Sequence, residues 1–336
     1  MNSKCKRAKG FSRTFLLVSL LPVVFLPAVS VAQQPTRNYR VGILGTEAKE
    51  RKERIAKYLH QLGYIEGTNL TYEVRDVGRE PEPAATRSRL DLAAELVRLK
   101  VDVIVAGGAG SVSAAKKASA TIPIVMGVVN DPIALGFVES LAHPGGSITG
   151  ISSLSPELSG KRLELVKEVI PKATRVAVLA SKGDSLRTSI KATEDAARSL
   201  HIQPQLLEIT AADQLESAFD AAKKQRADAL VQIQSAFLLP YQQRIIDLSV
   251  SKLLPAVFNL QVYVEAGGLM SYGLDRADIS RQIAAIVDKI LKGRKPADIP
   301  VEQPKRFEFA INLKTAKQIG LTIPPNVLAR ADKVIK

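Results

Sequence analysis

The chain has 336 residues, 46% of them apolar, and a net charge of +14 at pH 7. This length is enough for two domains with cores of their own, and the modest glycine and proline content excludes a fibrous or largely disordered chain. The positive charge is spread along the sequence and accompanies no recognisable nucleic-acid-binding motif, so no nucleic-acid partner is expected. A basic surface for anionic lipid or for an acidic partner remains open.

The first 32 residues have the pattern of a secretory signal peptide. Basic residues precede an apolar run from Phe15 to Phe25, and the small residues Ser30-Val31-Ala32 stand before Gln33. A membrane anchor is the alternative, but a span requires about 20 apolar residues, and prolines at positions 22 and 27 interrupt the apolar segment. We therefore expect residues 1–32 to be removed on export to the periplasm. The single cysteine, Cys5, lies in this segment, so the mature chain is expected to have no thiol, which suits an oxidising compartment.

Strand and helix patterns alternate through the rest of the chain. In the first half we predict strands at 39–45, 69–77, 101–106 and 122–129, and a further strand ending at Gly150. Helices are predicted at 47–61 with Thr46 as cap, at 86–100, after the glycine loop at 107–110, and after Asn130-Asp131-Pro132. The segment KERKER at 49–54 alternates in charge, which is typical of a solvent-facing helix surface. This order of elements predicts a parallel sheet with helices on both faces.

After Gly150 a second series of the same kind begins. Strands predicted at 175–180, 204–209, 229–234, 255–258 and 268–273 alternate with helices, and a helix at 275–291, a strand at 307–313 and a short helix at 314–320 follow. We therefore predict an α/β fold of two doubly wound parallel-sheet lobes. The elements that remain after the second series indicate that the chain crosses between the lobes more than once.

One loop of the first lobe is rich in glycine and lies between a predicted strand and a predicted helix, where parallel sheets bind ligands. The glycines of Gly107–Gly110 would let backbone amides approach an anion. The spacing does not match the dinucleotide motif G-x-G-x-x-G, because Ser113 stands in place of the third glycine. A tight turn without a ligand is the alternative to our preferred interpretation, an anion or carboxylate held by the amides of Ala109, Gly110 and Ser111.

Further polar residues also follow predicted strands. Asn130 and Asp131 do so in the first lobe, where a role of Asp131 as a helix cap is compatible with ligand contact. In the second lobe, Ser181 to Ser185, Ser235 and Asn259 have the same position. They could be solvated loop residues. Together, however, the two sets of strand ends predict a small-ligand cleft between the lobes.

Catalytic motifs are sparse. The histidines have no nucleophile or carboxylate arrangement, and no H-E-x-x-H motif or cysteine cluster offers metal ligands, so no metal and no cofactor are expected. Ser113 and Lys116 match the S-x-x-K pattern of penicillin-recognising enzymes, but the accompanying S-D-N is absent. We expect a protein that is not an enzyme. An exported serine hydrolase or acyl-transfer enzyme using Ser113 and Lys116 is the alternative.

Several long segments resemble one known family. They are YRVGILG (39–45), VDVIVAGGAGS (101–111), IPIVMGVVNDPIALGFVESLAHPGGSITG (122–150), VEAGGLMSYG (264–273) and KPADIPVEQPKRFEFAINLKTAK (295–317). From about residue 39 to its C-terminus the chain resembles the ABC-transporter substrate-binding family, whose best-understood members take up aromatic amino acids such as tryptophan.

The resemblance implies a periplasmic-binding-protein type I fold. Its lobes would comprise residues 39–150 plus 274–306 and residues 151–273 plus 307–336, joined by three crossings and closing on a ligand by hinge motion. The family's ligand contacts, carried over to this sequence, fall at Thr46, Ala109, Gly110, Ser111, Asn130, Asp131, Ser181, Ser185, Ser235 and Asn259. This chain departs from its relatives at 181–185, where many have an Asn-Pro-rich segment, and at Ser235, which replaces an Asp. Both departures lie on the rim that would contact the variable part of the ligand.

These features predict an exported receptor for a small, carboxylate-bearing, aromatic amino-acid-like molecule. The resemblance implies an ABC permease in the inner membrane as its partner and a monomeric state. A ligand-binding component of a signalling receptor is a further alternative.

Overall fold

The computed structural model describes residues 37–77, 88–153, 155–182, 187–233, 235 and 237–336. Residues 37–336 form one compact unit built around two β-sheets. Within the described ranges, no helix combines the length and apolar character needed to cross a bilayer. The expected signal peptide at 1–32 lies outside the described residues.

The first half of the chain forms a five-stranded parallel sheet and three of the helices that cover it. Its elements are β1 (Tyr39–Gly45), α1 (Ala48–Gln61), β2 (Leu70–Asp76), α2 (Arg89–Arg98), β3 (Val103–Ala106), α3 (Ala109–Ala118), β4 (Ile124–Val129) and β5 (Ile148–Ser152). The strand order is β2-β1-β3-β4-β5, with all neighbours parallel.

The second half contributes a seven-stranded sheet. Its elements are α4 (Ser155–Val169), β6 (Arg175–Ser181), α5 (Arg187–Ser199), β7 (Gln203–Ile209), α6 (Gln214–Lys224), β8 (Ala229–Gln232), α7 (Gln242–Ser251), β9 (Ala256–Phe258), α8 (Gln261–Glu265), β10 (Met270–Leu274), α9 (Arg276–Leu291), β11 (Phe307–Asn312), α10 (Leu313–Gln318), α11 (Pro325–Leu328) and β12 (Lys333–Ile335). The strand order is β12-β11-β10-β9-β8-β6-β7. Its strands are parallel except for the antiparallel pair β10 and β11, because β11 enters the sheet from the other lobe rather than through a crossover helix on the same sheet.

Both faces of each sheet are covered by helices, so each sheet has two cores. Alternate side chains of a strand point to opposite faces: in β3, Val103 and Val105 pack with α1 and α9, whereas Ile104 and Ala106 pack with α2 and α3. The second sheet is covered by α4 and α5 on one face and by α6, α7 and α8 on the other. This two-sided burial explains why the strands are continuous apolar runs in the sequence.

The chain passes three times between the two sheets. It leaves the first sheet after β5, returns from β10 through α9, which packs on the first sheet, and leaves again before β11. Between the last two passages, the N–H of Glu302 donates to the carbonyl of Gly150 at 2.8 Å and the carbonyl of Glu302 accepts from the N–H of Ser152 at 2.9 Å. These bonds hold residues around 302 beside β5. The lobe boundaries given above stay predictions.

Asn130-Asp131-Pro132 does not begin a regular helix, so that prediction was wrong. The carboxylate Oδ1 of Asp131 accepts from the N–H of Ala134 at 3.1 Å and thus caps a single turn. Gly136, with φ of 64°, ends this turn before helical hydrogen bonds can propagate.

Thr46 does not cap α1, which also differs from the prediction. The cap position is taken by Glu47, whose backbone is left-handed with φ of 56° and whose side chain makes no capping bond. The first helical N–H, that of Ala48, donates instead to Oδ2 of Asp76 at 2.9 Å. The end of β2 therefore fixes the start of α1.

Candidate functional site

A cleft of about 340 Å³ lies between the two sheets at the carboxyl ends of their strands. Its first-lobe side contains Thr46, Glu47, Arg51, Arg54, Gly107, Gly108, Ala109, Gly110, Val128, Val129, Asn130, Leu274, Arg276, Ile279, Ser280 and Ile283. Its second-lobe side contains Ser181, Lys182, Ser235, Phe237, Leu239, Asn259, Leu260 and Tyr263. This volume is in the range of small-molecule sites, and the mixture of apolar walls with a few polar groups is typical of them.

Seven of the ten residues named from the sequence line this cleft: Thr46, Ala109, Gly110, Asn130, Ser181, Ser235 and Asn259. Ser111 is only 2% exposed and is not part of the lining. The carboxylate of Asp131 is used by the turn that it caps. Ser185 lies outside the described residues. A contact between any of these residues and a ligand stays a prediction.

The first turn of α3 presents backbone amides to the cleft. Its cap residue is Gly108, with φ of 78°, and no side chain caps the helix. The first N–H groups of a helix have no partner within the helix and attract negative charge. Because Gly108, Ala109 and Gly110 line the cleft, this helix start can accept an anionic group there.

The second-lobe rim offers neutral hydrogen-bonding groups. The hydroxyls of Ser181 and Ser235 lie 2.6 Å apart. Asn259 is buried, and its Oδ1 has no hydrogen-bond partner among the described residues. The hydroxyl of Tyr263 accepts from Nε2 of Gln232 at 2.8 Å, and burial raises the pKa of this tyrosine, so the hydroxyl remains neutral.

Three arginines of the first-lobe side were not expected from the sequence. Arg51 and Arg54 belong to the charge-alternating segment that was predicted to face solvent, and Arg276 begins α9. Arg51 falls three residues after the buried Ala48 and four before the buried Ile55, so helical spacing places it on the inner face of α1. That spacing was the signal available in the sequence.

The guanidinium of Arg51 packs against backbone at the strand ends. A Cβ atom at Gly107 would overlap it, and one at Gly127 would lie 3.1 Å from its Nη1. Burial lowers the pKa of Arg51, and nearby Arg276 lowers it further. Burial also lowers the pKa of Arg54 to about 10, with Arg276 and Arg51 as further causes.

Arg276 is paired with the carboxylate in the cleft lining. Its Nη2 donates to Oε2 of Glu47 at 2.5 Å, and both side chains are largely buried. This ion pair joins the start of α9 to the start of α1. The carboxylate of Glu47 therefore already accepts a hydrogen bond from within the protein.

The arrangement does not support the serine-enzyme alternative. Ser113 and Lys116 are not among the residues that line the cleft. The Nζ of Lys116 donates to the carbonyl of Gly136 at 2.5 Å, so the amine is held by a turn and not by a hydroxyl. Among the described residues, no cluster of three or more His, Cys, Asp or Glu side chains is arranged to hold a metal ion.

Two α/β lobes with a cleft between their strand ends define a class of ligand-binding proteins. The family model of the ABC transporter substrate binding proteins matches residues 43–335. The chain therefore belongs to this family, as the sequence resemblance indicated. One relative, the tyrosine-binding protein of Clostridioides difficile (strain R20291), is 26% identical over 272 residues, which cover 80% of this chain and 76% of that protein.

Solved structures confirm the fold. A conserved domain protein from Vibrio cholerae is 27% identical and superposes with a TM-score of 0.80 over 89% of this chain and 99% of that chain. The ABC domain in complex with L-Trp from Streptococcus pneumonia is 23% identical, with a TM-score of 0.79 over 89% of this chain and all of that one. The two-lobed α/β architecture is thus the periplasmic-binding-protein type I fold.

Proposed function

We propose that this substrate-binding protein is an exported solute receptor of an ABC importer. It is made with a signal peptide at residues 1–32, acts in the periplasm as a monomer, and delivers a small carboxylate-bearing molecule to a permease in the inner membrane. The family supports the transport role, and the basic and apolar pattern of the first 32 residues supports export. No covalent step is required for this function.

The cleft is the observation that supports the proposal most directly. It combines the uncapped start of α3 and the arginine side chains on the first-lobe side with hydroxyl and amide groups on the second-lobe side. A dissociation constant of about 1 µM requires only about 8 kcal/mol of binding free energy. A few such hydrogen bonds together with the apolar walls are sufficient.

The relatives make aromatic amino acids the first candidates for testing. One relative is named for tyrosine, and another was solved with L-Trp. We infer that Ser181 and Ser235 contact the part of the solute that varies, as the sequence resemblance implied for the segment 181–185 and Ser235. Ser181 and Ser235 lie in the cleft lining, in line with this role.

Thermal unfolding of the mature chain against amino acids, aromatic acids, sugars and purines tests the proposal. A solute at 100 times its dissociation constant should stabilise the protein by about 2.7 kcal/mol, a shift of roughly 5 °C for a protein of this size. Unchanged melting temperatures across the whole panel would argue against a small-solute receptor.

Asp131→Ala separates the two roles of that residue. Because its carboxylate caps a turn and is not among the residues that line the cleft, we expect a loss of about 1 kcal/mol of stability with unchanged affinity for the solute. A large loss of affinity without loss of stability would instead assign Asp131 to the ligand.

A further inference from the structure

The charges that line the cleft are unbalanced. Among the described lining residues, the four cations Arg51, Arg54, Lys182 and Arg276 stand against the single carboxylate of Glu47, which leaves a net charge of +3. The three arginines lie on the first-lobe side, while the described residues of the second-lobe lining are neutral apart from Lys182. A bound solute therefore meets a strongly positive wall opposite a weakly charged one.

Two of the arginines have no hydrogen-bond or ion-pair partner for their side chains within the described part of the chain. There, neither Arg51 nor Arg54 donates a side-chain hydrogen bond or forms an ion pair, and Nε of Arg51 is buried. Arg276 alone of the three is paired, with Glu47. A buried donor without an acceptor is unfavourable, so the guanidinium of Arg51 favours an acceptor from a solute. The partly exposed guanidinium of Arg54 belongs to the same lining.

The guanidiniums are also close enough to disfavour one another. Arg276 lowers the pKa of both Arg51 and Arg54, in each case as the largest cause after burial. The carboxylate of Glu47 offsets part of this effect at both arginines, as do Asp76 at Arg51 and Glu50 at Arg54. An anion among them would offset this repulsion. A zwitterion would offset less of it, because its ammonium group adds a positive charge near the same arginines. The uncapped start of α3 adds partial positive charge to the same side of the cleft.

An ammonium group would find little to pair with. The amino group of an α-amino acid is best held by a carboxylate. The one carboxylate in the described lining, that of Glu47, already accepts from Arg276 at 2.5 Å. The other side-chain acceptors of the described lining are neutral oxygens, those of Thr46, Asn130, Ser181, Ser235, Asn259, Tyr263 and Ser280.

We propose that the solute is a net-anionic organic acid, with a carboxylate and no ammonium group, and that Arg51 and Arg54 bind its carboxylate. The apolar residues of the cleft, among them Val128 and Ile283, contact its body. This inference rests on the proposed receptor function and specifies the chemical class of its ligand. It differs from the amino-acid ligands named for the relatives.

Matched pairs of solutes test the inference. Titration calorimetry of the mature chain at pH 7 compares phenylalanine with 3-phenylpropionate, tyrosine with 3-(4-hydroxyphenyl)propionate, tryptophan with indole-3-propionate, and leucine with 4-methylpentanoate. The members of each pair differ only in the ammonium group. We expect at least one acid to bind at least ten-fold more tightly than its amino acid, its neutral amide to show no binding, and its affinity to fall as salt is raised.

Two variants then assign the residues. Arg54→Gln and Arg51→Gln should each weaken binding of the acid ten-fold or more and reduce its preference over the amino acid. Lys57→Gln, an exposed position on the same helix, changes the net charge equally and should leave both affinities unchanged. Arg54 is only half-buried, so its variant should fold even if Arg51→Gln does not. A purely structural role would lower the melting temperature without changing the ratio of the two affinities.

The outcomes separate this inference from the proposed function. Amino acids that bind as tightly as their acids, or more tightly, would overturn the anionic class and leave the receptor function standing. Equal affinities of the wild type and Arg54→Gln for the acid would overturn the assignment of the arginines. No binding of any acid, amino acid, sugar or purine would overturn the receptor function and the inference together.

Discussion

Gly107 is the position at which one methyl group would alter the cleft most directly. The nearest atoms to an added Cβ all belong to the guanidinium of Arg51, the mobile end of a long side chain. The φ of Gly107 is not in the left-handed region, so alanine fits the backbone there. The glycine is needed for the position of Arg51 rather than for a turn.

We predict that Gly107→Ala lowers the affinity for the solute about ten-fold with less than about 1 kcal/mol loss of stability, because only the end of the Arg51 side chain has to move. Calorimetric titration and denaturant unfolding measure the two effects. The affinity losses of Gly107→Ala and Arg51→Gln should not be additive in the double variant, since both act on one group. Additive losses would contradict the mechanism.

Gly150→Ala is the matched control for a glycine that the backbone requires. Its φ is 140°, and an added Cβ would overlap the carbonyl oxygen of Met126 in the neighbouring strand. The backbone of Met126 in β4 cannot move aside as the end of a long side chain can. We therefore expect a loss of about 3 kcal/mol or more of stability, measured by the same denaturant unfolding. A loss as small as that of Gly107→Ala would disprove the distinction.

At the residue level, the sequence could predict the loops of the site but not its charges. Asn130 and Asn259 directly follow apolar strands and Ala109 follows one after two glycines, so their place at the cleft follows from strand direction alone. Arg51 and Arg54 sit in an alternating-charge segment whose local pattern favours solvent. The spacing of Arg51 from Ala48 and Ile55 is the one local indication of its inward position. That α9 covers the same face of the sheet is a tertiary relation that the local pattern does not contain.

At the level of elements, an exposed ion pair stabilises the position of the C-terminal strand β12. The Nζ of Lys333 donates to Oε1 of Glu265 at 2.6 Å, which ties β12 to α8. This bond, followed by that from Gln261, holds the pKa of Glu265 below its ordinary value of 4.5. A carboxyl group whose folded-state pKa is lowered stabilises the fold above its unfolded pKa and loses this effect as the pH falls through the folded one.

We predict that the coupling between Glu265 and Lys333 is present at pH 7 and disappears in acid. A double-variant cycle of Glu265→Gln and Lys333→Gln should give up to about 1 kcal/mol at neutral pH, as is typical of exposed pairs. The coupling should approach zero as the pH falls below 4.5 and through the lowered pKa of Glu265. Denaturant unfolding at a series of pH values measures it. A coupling that stays constant into acid would show that the pair contributes through uncharged contacts.

Element types were easier to predict than the turn after β4. The apolar runs at 101–106 and 122–129 became β3 and β4 because strands buried on both faces need continuous apolar residues. The segment after Asn130 contains the cap and the apolar residues of a helix, but Gly136 stops it after one turn. The left-handed backbone of Gly136 is thus the reason why this segment forms a turn and not a helix. The φ of a glycine cannot be read from the sequence.

On the scale of the whole molecule, α9 couples the two lobes. It packs in the core of the first sheet, with Ile283 and Val287 buried there. Its chain ends, however, continue into β10 and β11, which are paired neighbours of the second sheet, with Leu274 opposite Phe307. Opening the second sheet at this pair would release the N-terminal end of a first-lobe core helix, because α9 follows β10 directly. Residues 292–306, which follow α9, are held beside β5 of the first sheet. The lobes should therefore unfold together.

We predict that Phe219→Ala, which creates a cavity in the core of the second lobe, lowers the stability of the first lobe as well. Phe219 is fully buried on α6, so truncation should cost about 3–5 kcal/mol. Calorimetry should show a single transition at lower temperature, and the slowly exchanging amides of β3 should lose protection together with those of β8. The reciprocal variant Leu96→Ala, at a fully buried position of the first lobe, should accelerate exchange in β8. Two separate transitions, or exchange in β3 unaffected by Phe219→Ala, would mean that α9 does not transmit stability and that each lobe folds alone.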